Sequence, residues 1–130
     1  PLCLDRAKPD EDYIMDLARS CGISDKMGKY PDQLSGGEQQ RVAIVRAMAI
    51  KPSILLADEP TGNLDYKTGR EIMHVLQVCR ARFHQTIVMV THDRETASCA
   101  DQVWWMEDGQ IQPKDIKEEW EKAGHVGYEM

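Results

Sequence analysis

Two short apolar stretches constrain this chain more than anything else in it. Ser53 to Asp58, with Ile54 to Ala57 uninterruptedly apolar, and Thr86 to Thr91, rich in β-branched residues, are both of strand length. Neither shows the alternation of a half-solvated strand, so both read as strands buried on both faces of a parallel sheet. Between them Asp65 caps a long helix bearing Ile72, Val75, Leu76, Cys79 and Phe83 on one side. Strand, helix and parallel strand make a βαβ unit, and the sequence places the chain in the α/β class.

The flanks extend this unit. Asp10 or Asp12 caps a helix carrying Ile14, Leu17, Ala18 and Cys21, which Gly22 stops. Tyr30-Pro31-Asp32 breaks the pattern, and a second helix runs from Ser35 to about Ile50, ended by Lys51-Pro52. Downstream come a short helix around Glu95 to Ala100, a strand over Gln102 to Met106, and a tight Asp108-Gly109 turn into Gln110-Ile111. The sheet is therefore expected to be mostly parallel with an antiparallel hairpin end. A last helix, Lys114 to about Lys122, shows Ile116, Trp120 and Ala123 at helical spacing before a Gly-containing tail.

Composition narrows the function classes. The 130 residues carry 16 basic and 22 acidic side chains, a net charge of -6, which disfavours a broad electrostatic grip on nucleic acid. Phosphate must be met locally. Cys3, Cys21, Cys79 and Cys99 are widely spaced, with no CxxC and no His pair at zinc-ligand spacing, so neither a metal knuckle nor a disulfide framework is expected. The longest apolar runs fall far short of a membrane span, and the expectation is a soluble, cytoplasmic chain.

Three places carry chemistry. Leu34-Ser35-Gly36-Gly37-Glu38-Gln39-Gln40-Arg41 opens the second helix, where first-turn amides lack intrahelical acceptors and the helix dipole is positive. Paired glycines let a polyphosphate approach the backbone, and Ser35 adds a hydroxyl donor. Ser35-x-x-Glu38 is equally a capping box, worth about 1 kcal/mol to helices that bind nothing, and both readings stay open. Asp58 and Glu59 stand at the carboxyl end of the first strand, where open α/β sheets place their ligands. One carboxylate there can hold Mg2+ and the other can orient or deprotonate a water, and the alternative is a polar strand end solvated in a turn. His92 follows the second strand and emerges at the same sheet edge, placed either to donate to a phosphate oxygen or to be a plain loop residue. Asp65 and Asp93 can each be no more than a helix cap.

Read in order, LSGGEQQR, ILLADEP at Ile54 to Pro60, Gly62-Asn63-Leu64-Asp65 and VMVTHD at Val88 to Asp93 resemble the nucleotide-binding domain of ATP-binding cassette (ABC) transporters over roughly residues 12 to 111. ADEPTGNLD looks most like the lipoprotein-releasing, macrolide-export and bacitracin-export group. The resemblance implies half of a P-loop NTPase (RecA-like) core. Residues 1–52 would belong to the helical subdomain with the signature helix, 53–112 to the core, and 113–130 to a C-terminal helix and tail. It implies ATP and Mg2+, with Ser35, Gly36, Gly37 and Glu38 as the signature on the ATP of a partner domain and Asp58 as the magnesium residue. Glu59 matches the catalytic base, Asp65 the D-loop aspartate at the dimer seam, and His92 the switch histidine. Glu38 stands where many members have Gln, and Arg94 where Pro is usual.

The resemblance covers only the C-terminal half. The P-loop pattern GxxxxGK[ST] is missing: Gly28-Lys29 precedes Tyr30, and Ile23 holds the place of the first glycine. The expected sheet therefore has unpaired edges and an exposed apolar face. The function implied is the ATP-hydrolysing subunit of an exporter-type transporter on the inner face of the cell membrane. Its expected partners are a second nucleotide-binding domain, a transmembrane permease and an N-terminal half with the P-loop, and not nucleic acid. The 130 residues alone are expected to be an inactive fragment. A soluble ABC ATPase acting on DNA or ribosomes, and a non-catalytic module donating only its signature helix, are the alternatives.

Overall fold

The structure, a computed structural model, describes residues 10–115 and 117–122. Helix α1, Glu11–Ser20, starts where Asp10 accepts the Tyr13 amide at 3.0 Å, and it ends at a turn in which Gly22 takes φ 69°. A 3-10 turn at Pro31–Gln33 leads to α2, Gly36–Ala49, and then to strand β1, Ile54–Asp58. Helix α3, Tyr66–Phe83, is capped by Asp65 and closed by His84 in the left-handed region. Strand β2, Thr86–Val90, and helix α4, Arg94–Ser98, follow; β3, Trp104–Glu107, and β4, Gln110–Asp115, form a hairpin before helix α5, Lys117–Lys122.

Strands β1 and β2 pair in parallel, Ile54 opposite Thr86 through Asp58 opposite Val90, with α3 as their crossover. Helices α1, α2 and α3 build the core from Leu17, Val42, Val45, Met48, Leu76 and Cys79, and Leu55 reaches it from β1. Ala57, Ile87 and Met89 line its edge. The Tyr13 and Phe83 rings meet edge to face at 5.8 Å, and the buried Gln85 amide donates to the Pro52 and Thr86 carbonyls, tying α3 to the start of β1.

One expectation is overturned in part. The two strands are covered on one face only: Ile54, Leu56, Val88 and Val90 alternate with the covered residues and are 53%, 76%, 47% and 59% exposed. The two-residue period of a strand sends every second side chain to the face opposite the helices, and no described element lies over that face. The exposed apolar face and the unpaired edges expected of half a domain are what the structure presents, since β1 and β2 form a two-stranded sheet on their own.

The C-terminal segment also differs from expectation. Asp108 and Gly109, at φ 52° and 75°, form the predicted two-residue turn. Pairing then continues through Met106 and Ile111 to Trp104 and Asp115, across a bulge, so 114 and 115 belong to β4 and the helix starts at Lys117. The ladder engages backbone that the helical reading needed. Ile116 and Ala123, assigned to that helix from their spacing, lie outside the described residues. Arg94 gains an account: its guanidinium sits 5.6 Å from the Trp120 ring, joining α4 to α5.

Candidate functional site

At the carboxyl end of β1 the chain turns sharply. The Glu59 amide donates to the Val90 carbonyl at 2.7 Å, extending the parallel ladder by one bond, while Glu59 itself takes φ 46°. A left-handed residue that is neither Gly nor Asn is strained, and the surroundings hold it there. The His92 amide donates to Glu59 Oε1 at 2.7 Å and the Thr91 hydroxyl donates to Oε2 at 3.1 Å, so both carboxylate oxygens are engaged by the segment after β2. His92 Nε2 lies 3.6 Å from Oε1 with its ring 98% exposed, free to swing toward a ligand. Thr91 Oγ1 also accepts the Asp93 amide at 3.0 Å, and Asp93 caps α4 through the Thr96 amide and hydroxyl.

Glu59, His92, Asp93, Thr61, Gly62 and Asp65 line one open cleft of about 490 Å³. Asp65 caps α3 by accepting the Thr68 amide at 3.3 Å, and its contact with Thr68 holds its carboxyl below the ordinary aspartate value. Asp58 does not line this cleft. It is exposed on the face shared with Leu56 and Val90, at the same strand end. The two carboxylates therefore do not share the cleft: Asp58 is the last residue of β1, and Glu59 is the left-handed residue that turns the chain away from it.

The tip of α2 is a complete capping box. Ser35 Oγ accepts the Glu38 amide at 3.1 Å, and the Ser35 amide donates to Glu38 Oε1 at 3.0 Å. That backbone hydrogen bond, with Lys26 3.7 Å away, holds the Glu38 carboxyl below its usual value. Ser35 and Gly36 are exposed, whereas Gly37 is buried. A Cβ on Gly37 would stand 2.5 Å from Thr68 Cγ2, and one on Gly36 would stand 3.8 Å from Leu64. Gly37 thus lets the first turn of α2 seat on the first turn of α3, a packing duty that the sequence reading did not give it.

The predicted residues fall into two sets. Glu59, Asp65 and His92 share a cleft; Ser35, Gly36, Gly37 and Glu38 form a separate tip that approaches it at Leu64, a residue of the cleft lining that lies 3.8 Å from where a Cβ on Gly36 would stand. Mg2+ is commonly held by one or two carboxylates with phosphate oxygens and water completing the shell. Exposed Asp58 suits such a site, and among the described residues no cluster of three ligating side chains offers an alternative. Sequence reasoning missed Thr91, whose hydroxyl bridges Glu59 and Asp93. Its place at the end of the Thr86 to Thr91 run, directly before the candidate His92, was the signal the sequence offered.

The ABC transporter family matches residues 7–62. The chain is 50% identical over 96 residues to macrolide export ATP-binding/permease protein MacB 2 of Aeromonas hydrophila subsp. hydrophila, covering 74% of this chain and 15% of that protein. It is 43% identical over 95 residues to the lipoprotein-releasing system ATP-binding protein LolD of Psychrobacter arcticus, covering 73% and 42%. Its fold is similar to that of the ATP-binding cassette MJ0796, solved as a dimer in a post-hydrolysis state with ADP and Pi, at a TM-score of 0.64 and 36% identity over 84% of this chain and 48% of that one. The chain therefore spans less than half the length of each of these proteins. No helix among the described residues is long and apolar enough to cross a membrane.

Proposed function

We propose that this chain, which belongs to the ABC transporter ATP-binding family, supplies the hydrolytic end and the signature tip of an ATP-driven exporter subunit. The observation that carries this reading is the fixed Glu59: both carboxylate oxygens are held at the carboxyl edge of β1, 3.6 Å from Nε2 of the exposed His92 ring. A carboxylate so aimed can orient and deprotonate the water that attacks a terminal phosphate. His92, fully exposed, turns from Glu59 toward the phosphate oxygens as they arrive. Bound Mg2+ would neutralise phosphate charge, with exposed Asp58 at the end of β1 as its protein ligand. Asp65, on the rim of the cleft, meets a second copy of the domain.

The tip of α2 serves a different nucleotide. Ser35 and Gly36 face solvent on a separate surface, so they reach ATP held by a partner domain, with Gly37 and Glu38 shaping the turn. The apolar face made by Ile54, Leu56, Val88 and Val90 receives an N-terminal half carrying the P-loop, on this polypeptide or another, and the 130 residues alone are inactive. The segments 1–52, 53–112 and 113–130 act respectively as signature subdomain, half core and C-terminal extension. The domain couples to an exporter-type permease at the cytoplasmic face of the membrane; the coupling is supported by the relatives, a macrolide export ATP-binding/permease protein and a lipoprotein-releasing system ATP-binding protein.

Titration calorimetry with Mg-ATP tests the reading. Negligible heat from the chain alone, and binding with hydrolysis once the N-terminal half is added, is the expected pair of results. Tight binding to the chain alone, or no hydrolysis by the completed domain, would overturn it.

A further inference from the structure

A second cleft, of about 640 Å³, opens where the end of α1 meets the faces of α2 and α3. It is lined by Arg19 from α1, Arg41 from α2, and Lys67, Arg70 and His74 from α3, with Glu71 as the one carboxylate. Four cationic side chains against one acid is a marked local reversal in a chain whose net charge is -6. Tyr66 borders both this cleft and the Glu59 cleft, but Glu59, Asp65 and His92 do not line it.

Arg41 separates this site from an ordinary solvated basic patch. Its Nε is buried and has no hydrogen-bond partner among the described residues. A buried guanidinium N–H without an acceptor is unfavourable, and such orphans are rare in folded chains. Its Nη1 reaches the turn after α1, 3.6 Å from where a Cβ on Gly22 would stand. The guanidinium therefore stands at one end of the cleft, beside the turn after α1, with one donor unsatisfied, while Arg19 and Lys67 are exposed.

We infer that this cleft binds a phosphate-bearing anion, with Arg41 as the partly buried donor and Arg19 and Lys67 as exposed countercharges. Phosphate suits the site because its several acceptor oxygens can meet a guanidinium and two further cations at once, which a single carboxylate does less well. The inference goes beyond the ATPase reading and does not depend on it.

The test follows the Arg41 Nε–Hε correlation by NMR in the full chain, alone and with its N-terminal half, as inorganic pyrophosphate is added with the ATP site filled by a non-hydrolysable analogue. A saturable shift of that signal is expected. Removing two of the cations, in Arg19→Gln with Lys67→Gln, should weaken it by about tenfold or more. Both positions are exposed, so the double variant keeps the fold. Co-sedimentation with phosphatidate vesicles, against phosphatidylcholine alone, distinguishes the sources. Binding that pyrophosphate competes away assigns a lipid headgroup, and a pyrophosphate response without vesicle binding assigns a soluble phosphate. No saturable shift, an unchanged affinity in the double variant, or a response that vanishes when the N-terminal half is added would overturn the proposal. The last result would make the cleft a protein contact. ATP hydrolysis is read separately, so failure here leaves the functional reading standing.

Discussion

The tip of α2 and the end of β1 carry the two halves of the proposed chemistry, and they are built in opposite ways. The tip is internally satisfied: Ser35 and Glu38 exchange hydrogen bonds through their side chains, leaving the Ser35 hydroxyl hydrogen to rotate between the Glu38 carboxylate and an outside anion. The strand end depends on distant chain. Glu59 sits at φ 46° and is positioned by Thr91 and His92, more than 30 residues away in sequence. One site is made by a tetrapeptide and survives wherever the helix forms; the other exists only after β1 and β2 have paired. A local cap is stable and adaptable, whereas a long-range constraint can hold a reactive carboxylate in a geometry that it would not choose alone.

The largest test of that contrast is Glu59→Gln in the completed domain. The substitution keeps the size of the side chain and one acceptor oxygen for the His92 amide but removes the base, so turnover should fall by about 100- to 10,000-fold with ATP binding retained. Unchanged hydrolysis, measured by phosphate release, would take the base role away from Glu59.

Gly37→Ala probes the seat beneath the tip. The added methyl meets the stiff Thr68 side chain at 2.5 Å. Overpacking of this kind costs about 1–3 kcal/mol, more than the up to about 1 kcal/mol that alanine returns in helix propensity. The urea midpoint should fall, and Thr68→Ser, which deletes the offending methyl but keeps the hydroxyl, should restore part of it. If the double variant is no more stable than Gly37→Ala, the two first turns are not in the contact described.

Ser35→Ala and Ser35→Asp separate the cap from the phosphate role. Alanine should lower stability by about 1 kcal/mol, while aspartate keeps the cap and places a negative charge where phosphate must come. Both variants should lose ATP-driven dimerisation, but only alanine should lose stability. Normal dimerisation by Ser35→Asp, seen in light scattering, would reduce the motif to a capping box.

The smallest effect is expected on acidification. Glu38 is held below its ordinary value by the Ser35 amide and Asp65 by the Thr68 hydroxyl and then its amide, so their contribution is complete above the ordinary carboxylate range and is lost as pH falls through the lower folded values. Helicity followed by circular dichroism below about pH 4 should decline, and less so in a Glu38→Gln, Asp65→Asn double variant. Equal acid sensitivity in that variant would assign the loss to other carboxylates.

Residues acting over short range are legible in the sequence itself. Asp10, Ser35, Asp65 and Asp93 were all readable as caps and all cap helices, and Asp108-Gly109 makes the turn its dipeptide announces. The motif order placed Asp58, Glu59 and His92 at one sheet edge, because parallel strands of one βαβ unit end on the same side. Local composition decides such features: a cap or a tight turn needs only a few neighbouring residues. Tertiary structure alone decided the rest. Period and hydrophobicity point to burial on both faces and the missing half-domain motifs to an exposed apolar face; that this face is made of Ile54, Leu56, Val88 and Val90 depended on what packs against the strands and not on the strands themselves. Nor could spacing show that Gly37 is a seat for Thr68, that Thr91 bridges Glu59 and Asp93, or that Arg41 ends in a basic cleft with an unpaired donor. Those contacts join residues more than about 15 positions apart or lie beyond a turn, and only the docking of α3 against α2 and of β2 against β1 brings them within bonding distance.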